Sequence, residues 1–108
     1  MIRKFLDIST GHLSPATHRW MREQGRIAAN MVTASDPSPA FCMGPTPYGW
    51  FCWAGMEDDA DNLRALPEDL QACIREAKRQ GCDYIHFDAD ADTVDHLPVF
   101  DHGEKVEG

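Results

Sequence analysis

The segment spanning residues 63–81 constrains the fold more than any other part of the sequence. Pro67 suits the first helical position, acidic residues follow it where the helix dipole favours anions, and Gly81 suits the left-handed stop. Apolar residues recur along one face at helical spacing: Leu63, Leu66, Leu70, Cys73, Ile74 and Ala77. The pattern predicts an amphipathic helix, which must bury this face against another layer of structure.

The other predicted elements surround this helix on both sides. An earlier helix is predicted from Ser14, an N-cap followed by Pro15, to about Gln24, with Gly25 as its stop. Alternating side chains predict strands over residues 2–9, 48–53 and 83–89, and a weaker pattern predicts one over residues 27–33. Residues 41–43 and 97–100 offer further short extended pieces. Two pairs of prolines break the chain between residues 36 and 47.

The order of elements is strand, helix, strand, strand, helix, strand. We expect a single domain over residues 1–108, whose last residues, 101–108, fray. We predict an α+β two-layer sandwich, with about four mainly antiparallel strands and both helices on one face. This order is compatible with the ferredoxin-like arrangement, in which the first and last strands are antiparallel neighbours.

The aromatic strand at residues 48–53 distributes large side chains to both of its faces. Trp50 and Cys52 share one face, whereas Phe51 and Trp53 share the other. Because the helices cover only one side of the predicted sheet, one aromatic set must point away from them. A bare sheet face that carries aromatic side chains is a candidate interface, and the alternative, which we expect for some of these residues, is that they fill the core.

Charge is distributed unevenly along the chain. The net charge is -8, yet residues 1–30 carry +3, while residues 83–108 hold eight acids and one lysine. This acidity argues against direct binding to nucleic acid or to an anionic membrane, since both select lysine and arginine. No apolar run approaches the length of a membrane span. The expected partner is a protein with a basic surface.

A row of aspartates follows the last predicted strand, at Asp88, Asp90 and Asp92. Numbered as an EF-hand loop, the row has Thr93 where glycine is needed and Val99 where the bidentate glutamate is needed, so it does not fit that calcium site. The chain is too short for the phosphatase or glycosyltransferase domains that use a similar motif. A looser Mg²⁺ or Mn²⁺ site on these aspartates stays open as an alternative, beside a solvated strand end.

The four cysteines form no CxxC pair, and no close ligand pair with histidine predicts zinc. We expect no cofactor. No signal peptide precedes the first strand, so we expect a reduced, cytoplasmic protein. Cys82 with His12 and Asp7 could meet at one end of the predicted sheet as a nucleophile and base, but a buried or incidental cysteine explains Cys82 better. A phosphate at residues 9–12 is an equally weak signal.

The candidate partner-binding residues combine acids with the aromatic strand. They are Glu57, Asp58 and Asp59 of an acidic loop, Asp88, Asp90, Asp92 and Asp95 near the C-terminus, and Trp50 and Trp53. Aromatic anchors with a charged rim are typical of protein interfaces.

Three segments resemble a small family of unknown function found on bacterial plasmids, integrative elements and phages. They are residues 5–13 (FLDISTGHL), residues 81–90 (GCDYIHFDAD), and Leu97 with Pro98. The resemblance implies a setting among mobile elements, whose small acidic proteins often block host defence, as anti-CRISPR and antirestriction proteins do. It transfers no residue role.

These observations favour a binding module over an enzyme. We expect it to inhibit a host nucleic-acid-handling complex by offering carboxylates to a surface that binds phosphates. Two alternatives remain: a small divalent-metal-dependent enzyme that uses Asp88, Asp90 and Asp92, and a structural accessory protein that forms a homodimer through its aromatic strand.

Overall fold

A computed structural model describes residues 2–56, 61–95 and 97–100. The strands are β1 (Phe5–Ser9), β2 (Met43–Thr46), β3 (Gly49–Trp53) and β4 (Tyr84–Asp88). The helices are α1 (Pro15–Ala29), the single turn α2 (Asp61–Arg64) and α3 (Glu68–Arg79), and a 3-10 turn at Thr10–His12 follows β1. The predicted α+β class is confirmed. The predicted tail, residues 101–108, lies outside the described residues.

The four strands form one mixed sheet in the order β1-β4-β3-β2. Strand β4 is antiparallel to β3 but parallel to β1, so the antiparallel pairing expected for the first and last strands is wrong. The cause is the connection between β3 and β4, which returns to the end of the sheet that it left. There the Ala54 amide donates to the Asp83 carbonyl over 2.8 Å. A chain that returns to the same end must run back antiparallel to the strand it came from.

The core lies between α1, α3 and one face of the sheet. That face carries Ile8, Trp50, Cys52, Ile85 and Phe87, all buried. Helix α3 contributes the predicted apolar stripe, in which Leu70, Cys73, Ile74 and Ala77 are at most 1% exposed. Gly81 ends this helical segment with φ +78°, as predicted. The strand alternation and the second helix are therefore confirmed.

Helix α1 does not stop at Gly25 but continues to Ala29, so the predicted stop and the weak strand over residues 27–33 are wrong. Gly25 is buried where the helix crosses the sheet, and a Cβ placed there would lie 3.5 Å from the indole nitrogen of Trp50. That distance is an ordinary van der Waals contact, so packing does not require a glycine here. The packing of α1 against the sheet instead outweighs the local preference of glycine for a helix end.

Strand β2 includes Pro45, although the prolines were expected to break the chain here. The strand lies at the edge of the sheet and pairs only with β3. Because an edge strand needs hydrogen-bond donors on one side only, it can accept proline.

The described residues after β4 fold back on the 3-10 turn, and residues 97–100, expected as a short extended piece, form no strand. His12 is 1% exposed and bonds through Nδ1 to the Pro98 carbonyl at 2.8 Å. Its Nε2 accepts the Val94 amide hydrogen at 2.8 Å, which fixes the neutral tautomer with the proton on Nδ1. The Phe100 amide donates to the Gly11 carbonyl. His12 is therefore a structural residue that holds Val94 and Pro98 in place.

Candidate functional site

One face of the sheet points away from α1 and α3, and we call it the open face. Every residue on it is exposed or half-buried. Its members are Phe5, Asp7 and Ser9 of β1, Gly44 and Thr46 of β2, Gly49, Phe51 and Trp53 of β3, and Tyr84, His86 and Asp88 of β4. Strand alternation alone accounts for this set, since residues two apart share a face.

Aromatic rings form a continuous cluster at one end of the open face. Phe51 is central: the Tyr84 ring stacks on it at 5.2 Å and 24°, and the Phe5 ring meets it edge-on at 5.7 Å. Phe5 remains 53% exposed and Phe51 37% exposed. Trp53 lies opposite Tyr84 in the strand register. Because exposed rings already packed against one another need little reordering to bind, the cluster is a preorganised apolar surface.

A shallow hollow of about 220 Å³ adjoins the aromatic cluster on the β2 side. Phe51, Trp53 and Tyr84 line it together with Cys42 and Gly44. Gly44 contributes no side chain, and nothing lies within 4 Å of its Cβ position. The hollow is large enough for one side chain of a partner, not for a metabolite.

A polar trio lies at the other end of the open face, formed by Asp7, His86 and Asp88. Asp7 and His86 are direct neighbours in the parallel register, and Nδ1 of His86 donates to Oδ1 of Asp7 at 3.1 Å. Nε2 of the same ring lies 3.2 Å from the Thr46 hydroxyl. One potential ligand atom from each member of the trio lies within 4.8 Å of the others. The trio is the one such metal-ligand group among the described residues.

The predicted row of aspartates separates after Asp88. Asp88 belongs to the open face, where its Oδ1 accepts the Asp90 amide at 2.9 Å and shapes the turn that follows β4. Asp90, Asp92 and Asp95 are exposed in the loop beyond. The backbone carbonyl of Asp92 accepts the Ser9 amide at 3.1 Å. The row thus places one carboxylate on the open face, two at its rim beside Asp88 and Ser9, and Asp95 in the exposed loop beyond.

The other predicted partner-binding residues have different locations. Trp53 is half-buried on the open face, whereas Trp50 is 7% exposed on the opposite face, in the core. We therefore leave Trp50 out of the proposed interface. Glu57, Asp58 and Asp59 lie outside the described residues.

The proposed meeting of Cys82, His12 and Asp7 does not occur. Cys82 precedes β4, beside Lys4, whose carbonyl accepts the next amide in the chain. His12 follows β1 at the opposite end, because β1 and β4 run parallel. The hydroxyl of Ser9 accepts the Gly11 amide at 2.9 Å, so capping accounts for the polar residues of the 3-10 turn.

Sequence reasoning missed the site roles of Asp7 and His86, and it did not single out Phe5 and Tyr84. The alternation correctly placed Asp7 and Phe5 on one face of the first strand. It also placed Tyr84 and His86 on one face of the last strand. What it lacked was the direction of β4, which sets which residues become neighbours.

Residues 5–102 match a family described as "Family of unknown function (DUF5983) C-terminal domain". The chain belongs to this family. The match covers all four strands and hence the whole open face, and it confirms the expected family of unknown function. Comparison with curated proteins and with solved structures gives no match. No helix in the described ranges is both long enough and apolar enough to cross a membrane.

Proposed function

We propose that this domain is a protein-binding module whose open face docks on a basic protein surface. The observation that carries the proposal is the aromatic cluster of Phe5, Phe51 and Tyr84 on a sheet face that no helix covers. Exposed aromatic rings that adjoin a hollow are typical of the anchor positions of protein interfaces.

Charge selects the kind of partner. Asp7 and Asp88 lie on the open face itself, exposed Asp90 and Asp92 lie at its rim, and the whole chain carries -8. A partner that is rich in lysine and arginine would be steered to this surface, and a guanidinium could stack on Phe51 while it bonds to a carboxylate. Such binding weakens as salt screens the charges.

The partner we propose is a host complex that handles nucleic acid, with this domain as its inhibitor, in the manner of anti-CRISPR or antirestriction proteins. The resemblance to proteins of bacterial mobile elements supports this setting. The acidic surface supports it too, because carboxylates can occupy a groove that otherwise receives phosphates.

The test compares binding by wild-type protein and the Phe51→Ala variant, with Tyr48→Ala as the matched control. Tyr48 is 61% exposed but lies off the open face, in the turn between β2 and β3. We expect Phe51→Ala to lower the affinity for a partner protein captured from bacteria about thirtyfold, the loss typical of an interface anchor. Tyr48→Ala should leave that affinity unchanged. DNA or RNA that the captured partner binds should compete with the domain for binding to that partner.

Three results would contradict the proposal: equal binding by both variants, affinity that does not fall with added salt, or a partner that binds nucleic acid and this domain simultaneously. Sedimentation at several concentrations separates a further outcome. A wild-type dimer that Phe51→Ala converts to monomer would assign the open face to self-association.

The polar trio supports a second candidate function, a divalent-cation site, because Asp7, His86 and Asp88 converge within 4.8 Å. Two carboxylates and an imidazole suit Mn²⁺ or Zn²⁺, and a metal bound to them would supply a Lewis acid for hydrolytic chemistry. Calorimetric titration with Mn²⁺, Zn²⁺ and Mg²⁺ tests it. Asp7→Asn should abolish the binding heat and Asp92→Asn should not, and the absence of heat for wild-type protein removes this candidate.

A further inference from the structure

A second concave site lies on the opposite side of the β2–β3 hairpin from the open-face hollow, where α1 passes the sheet. It is a cleft of about 560 Å³, within the size range of small-molecule sites. Helix α1 forms one wall, and the turn around Tyr48 and the start of β3 form the other. The cleft shares Thr46 with the trio's surroundings but contains neither Phe51 nor Asp7.

The helical wall is basic. His18, Arg22 and Arg26 follow one another at intervals of four residues, so they lie on one face of α1, and all three line the cleft. Arg26 also binds Glu23 through its guanidinium. Arg22 is exposed and forms no ion pair with any described residue. No acid is among the described residues that line the cleft, and although Glu23 offsets the charge of Arg26, Arg22 leaves a local positive charge on a protein of charge -8.

Trp50 adds an independent sign of a ligand. Its side chain is 7% exposed and lines the cleft, and His18 packs edge-on against it at 5.4 Å. Within the described part of the chain, the indole Nε1–H has no hydrogen-bond acceptor, although nearly all buried donors in proteins have one. Nε1 lies at the edge of the ring that faces Gly25, a lining residue. A ligand oxygen in the cleft would satisfy this donor.

The floor of the cleft is kept open by Gly25. A Cβ at this position would approach Trp50 Nε1 to 3.5 Å and Pro45 to 3.7 Å, and would fill the space in front of the indole donor. The remaining surfaces provide hydroxyls at Thr10 and Thr46 and an exposed aromatic ring at Tyr48. The cleft therefore combines cationic donors, a buried neutral donor and an apolar shelf.

We propose that this cleft binds a small organic phosphate. The phosphoryl group would accept hydrogen bonds from Arg22, Arg26 and the Trp50 indole, and the organic part would rest against Tyr48. Arg22 offers a charge that no described acid neutralises, whereas Arg26 shares its guanidinium with Glu23 and offers its remaining N–H groups. A phosphoryl group supplies three terminal oxygens for these donors and the indole, where a carboxylate has two. The cleft is larger than one phosphate requires, which leaves room for the organic group.

The test is an NMR titration of the ¹⁵N-labelled chain with phenyl phosphate, inorganic phosphate and benzoate. The three tryptophans give three indole signals, and Trp50→Phe identifies the one of interest. We expect the Trp50 Nε1–H signal to move in a saturable way, with phenyl phosphate binding most tightly. Arg22→Gln should weaken phenyl phosphate at least about tenfold, because a charge-assisted hydrogen bond is lost.

Two variants keep the test specific. Arg19→Gln removes the same charge from an exposed position of α1 that does not line the cleft, and should leave the affinity unchanged. Gly25→Ala fills the floor without a steric clash, since its nearest contacts are at ordinary distances, and should weaken binding while the helix is retained. The proposal is overturned if no indole signal saturates, if Arg19→Gln weakens binding as much as Arg22→Gln, or if benzoate binds more tightly than phenyl phosphate.

Discussion

Replacing Gly49 by alanine tests the strand register on which the open face depends. Gly49 is the first residue of β3 and pairs with Asp88, the last residue of β4. A Cβ built on Gly49 would lie 1.9 Å from the carbonyl oxygen of Phe87 and 2.8 Å from its carbonyl carbon. Both are backbone atoms, so no side-chain rotation can relieve the contact. The strands must separate by more than 1 Å at this point.

The expected loss of stability follows from that separation. Overpacking of a well-packed site costs about 1–3 kcal/mol. Opening the end of the ladder also weakens the neighbouring bond from the Ala89 amide to the Tyr48 carbonyl, which is 3.0 Å long and worth about 1 kcal/mol. Because alanine has less conformational entropy than glycine in the unfolded chain, the substitution also stabilises the folded state by about 0.4–1 kcal/mol. We therefore expect Gly49→Ala to reduce the free energy of unfolding by about 2–3 kcal/mol.

Urea unfolding followed by tryptophan fluorescence measures this loss, and Gly44→Ala is the matched control. Gly44 lies on the same sheet face, opposite Phe51, and nothing lies within 4 Å of its Cβ position. The control should be neutral or more stable by up to about 1 kcal/mol, the usual effect of glycine replacement at an unstrained site. If Gly49→Ala were as stable as Gly44→Ala, the pairing of β3 with β4 would be wrong, and with it the composition of the open face.

Two further predictions concern the interior. His12→Ala removes the hydrogen bonds from His12 to Val94 and Pro98, and should lower the free energy of unfolding by about 3 kcal/mol in the same urea assay. A loss below about 1 kcal/mol would contradict the structural role of His12. Burial raises the pKa of the Cys73 thiol to about 12 and also raises the pKa of Cys52. Iodoacetamide at about pH 8 should therefore label only Cys42 and Cys82 in the native protein. All four cysteines should be labelled after unfolding. Since both buried thiols stay neutral while those of the unfolded chain ionise near 9.0, the free energy of unfolding should also fall as pH rises above about 9.

The elements that sequence predicted best are those whose cause is local. The apolar stripe of α3 is a property of consecutive turns of one helix, and Leu70, Ile74 and Ala77 are all 0% exposed. Alternation in β3 likewise separated buried Trp50 from half-exposed Phe51. Both patterns depend only on residues a few positions apart, so no knowledge of the rest of the fold is needed.

The errors share the opposite cause. Gly25 looked like a helix stop because glycine favours that position, but α1 continues across the sheet there and buries Gly25 beside Trp50, 25 residues later. Pro45 looked like a chain break because its strand could not be recognised as an edge until the order of the sheet was known. In each case a distant part of the chain overrode a sound local rule.

The direction of β4 shows why the site was predicted only in part. Reversing a strand in place leaves each residue on its original face, because the side-chain period is two, so alternation correctly assigned Phe51 and Asp88 to faces whichever way β4 runs. Neighbours do depend on direction: only the parallel register sets Asp7 beside His86, 79 residues away, at hydrogen-bonding distance. The aromatic part of the open face was therefore within reach of the sequence. The polar trio could not be predicted from the sequence, because it depends on the direction of β4. That direction is set by the β3–β4 connection, which returns to the end of the sheet that it left, where Ala54 bonds to Asp83.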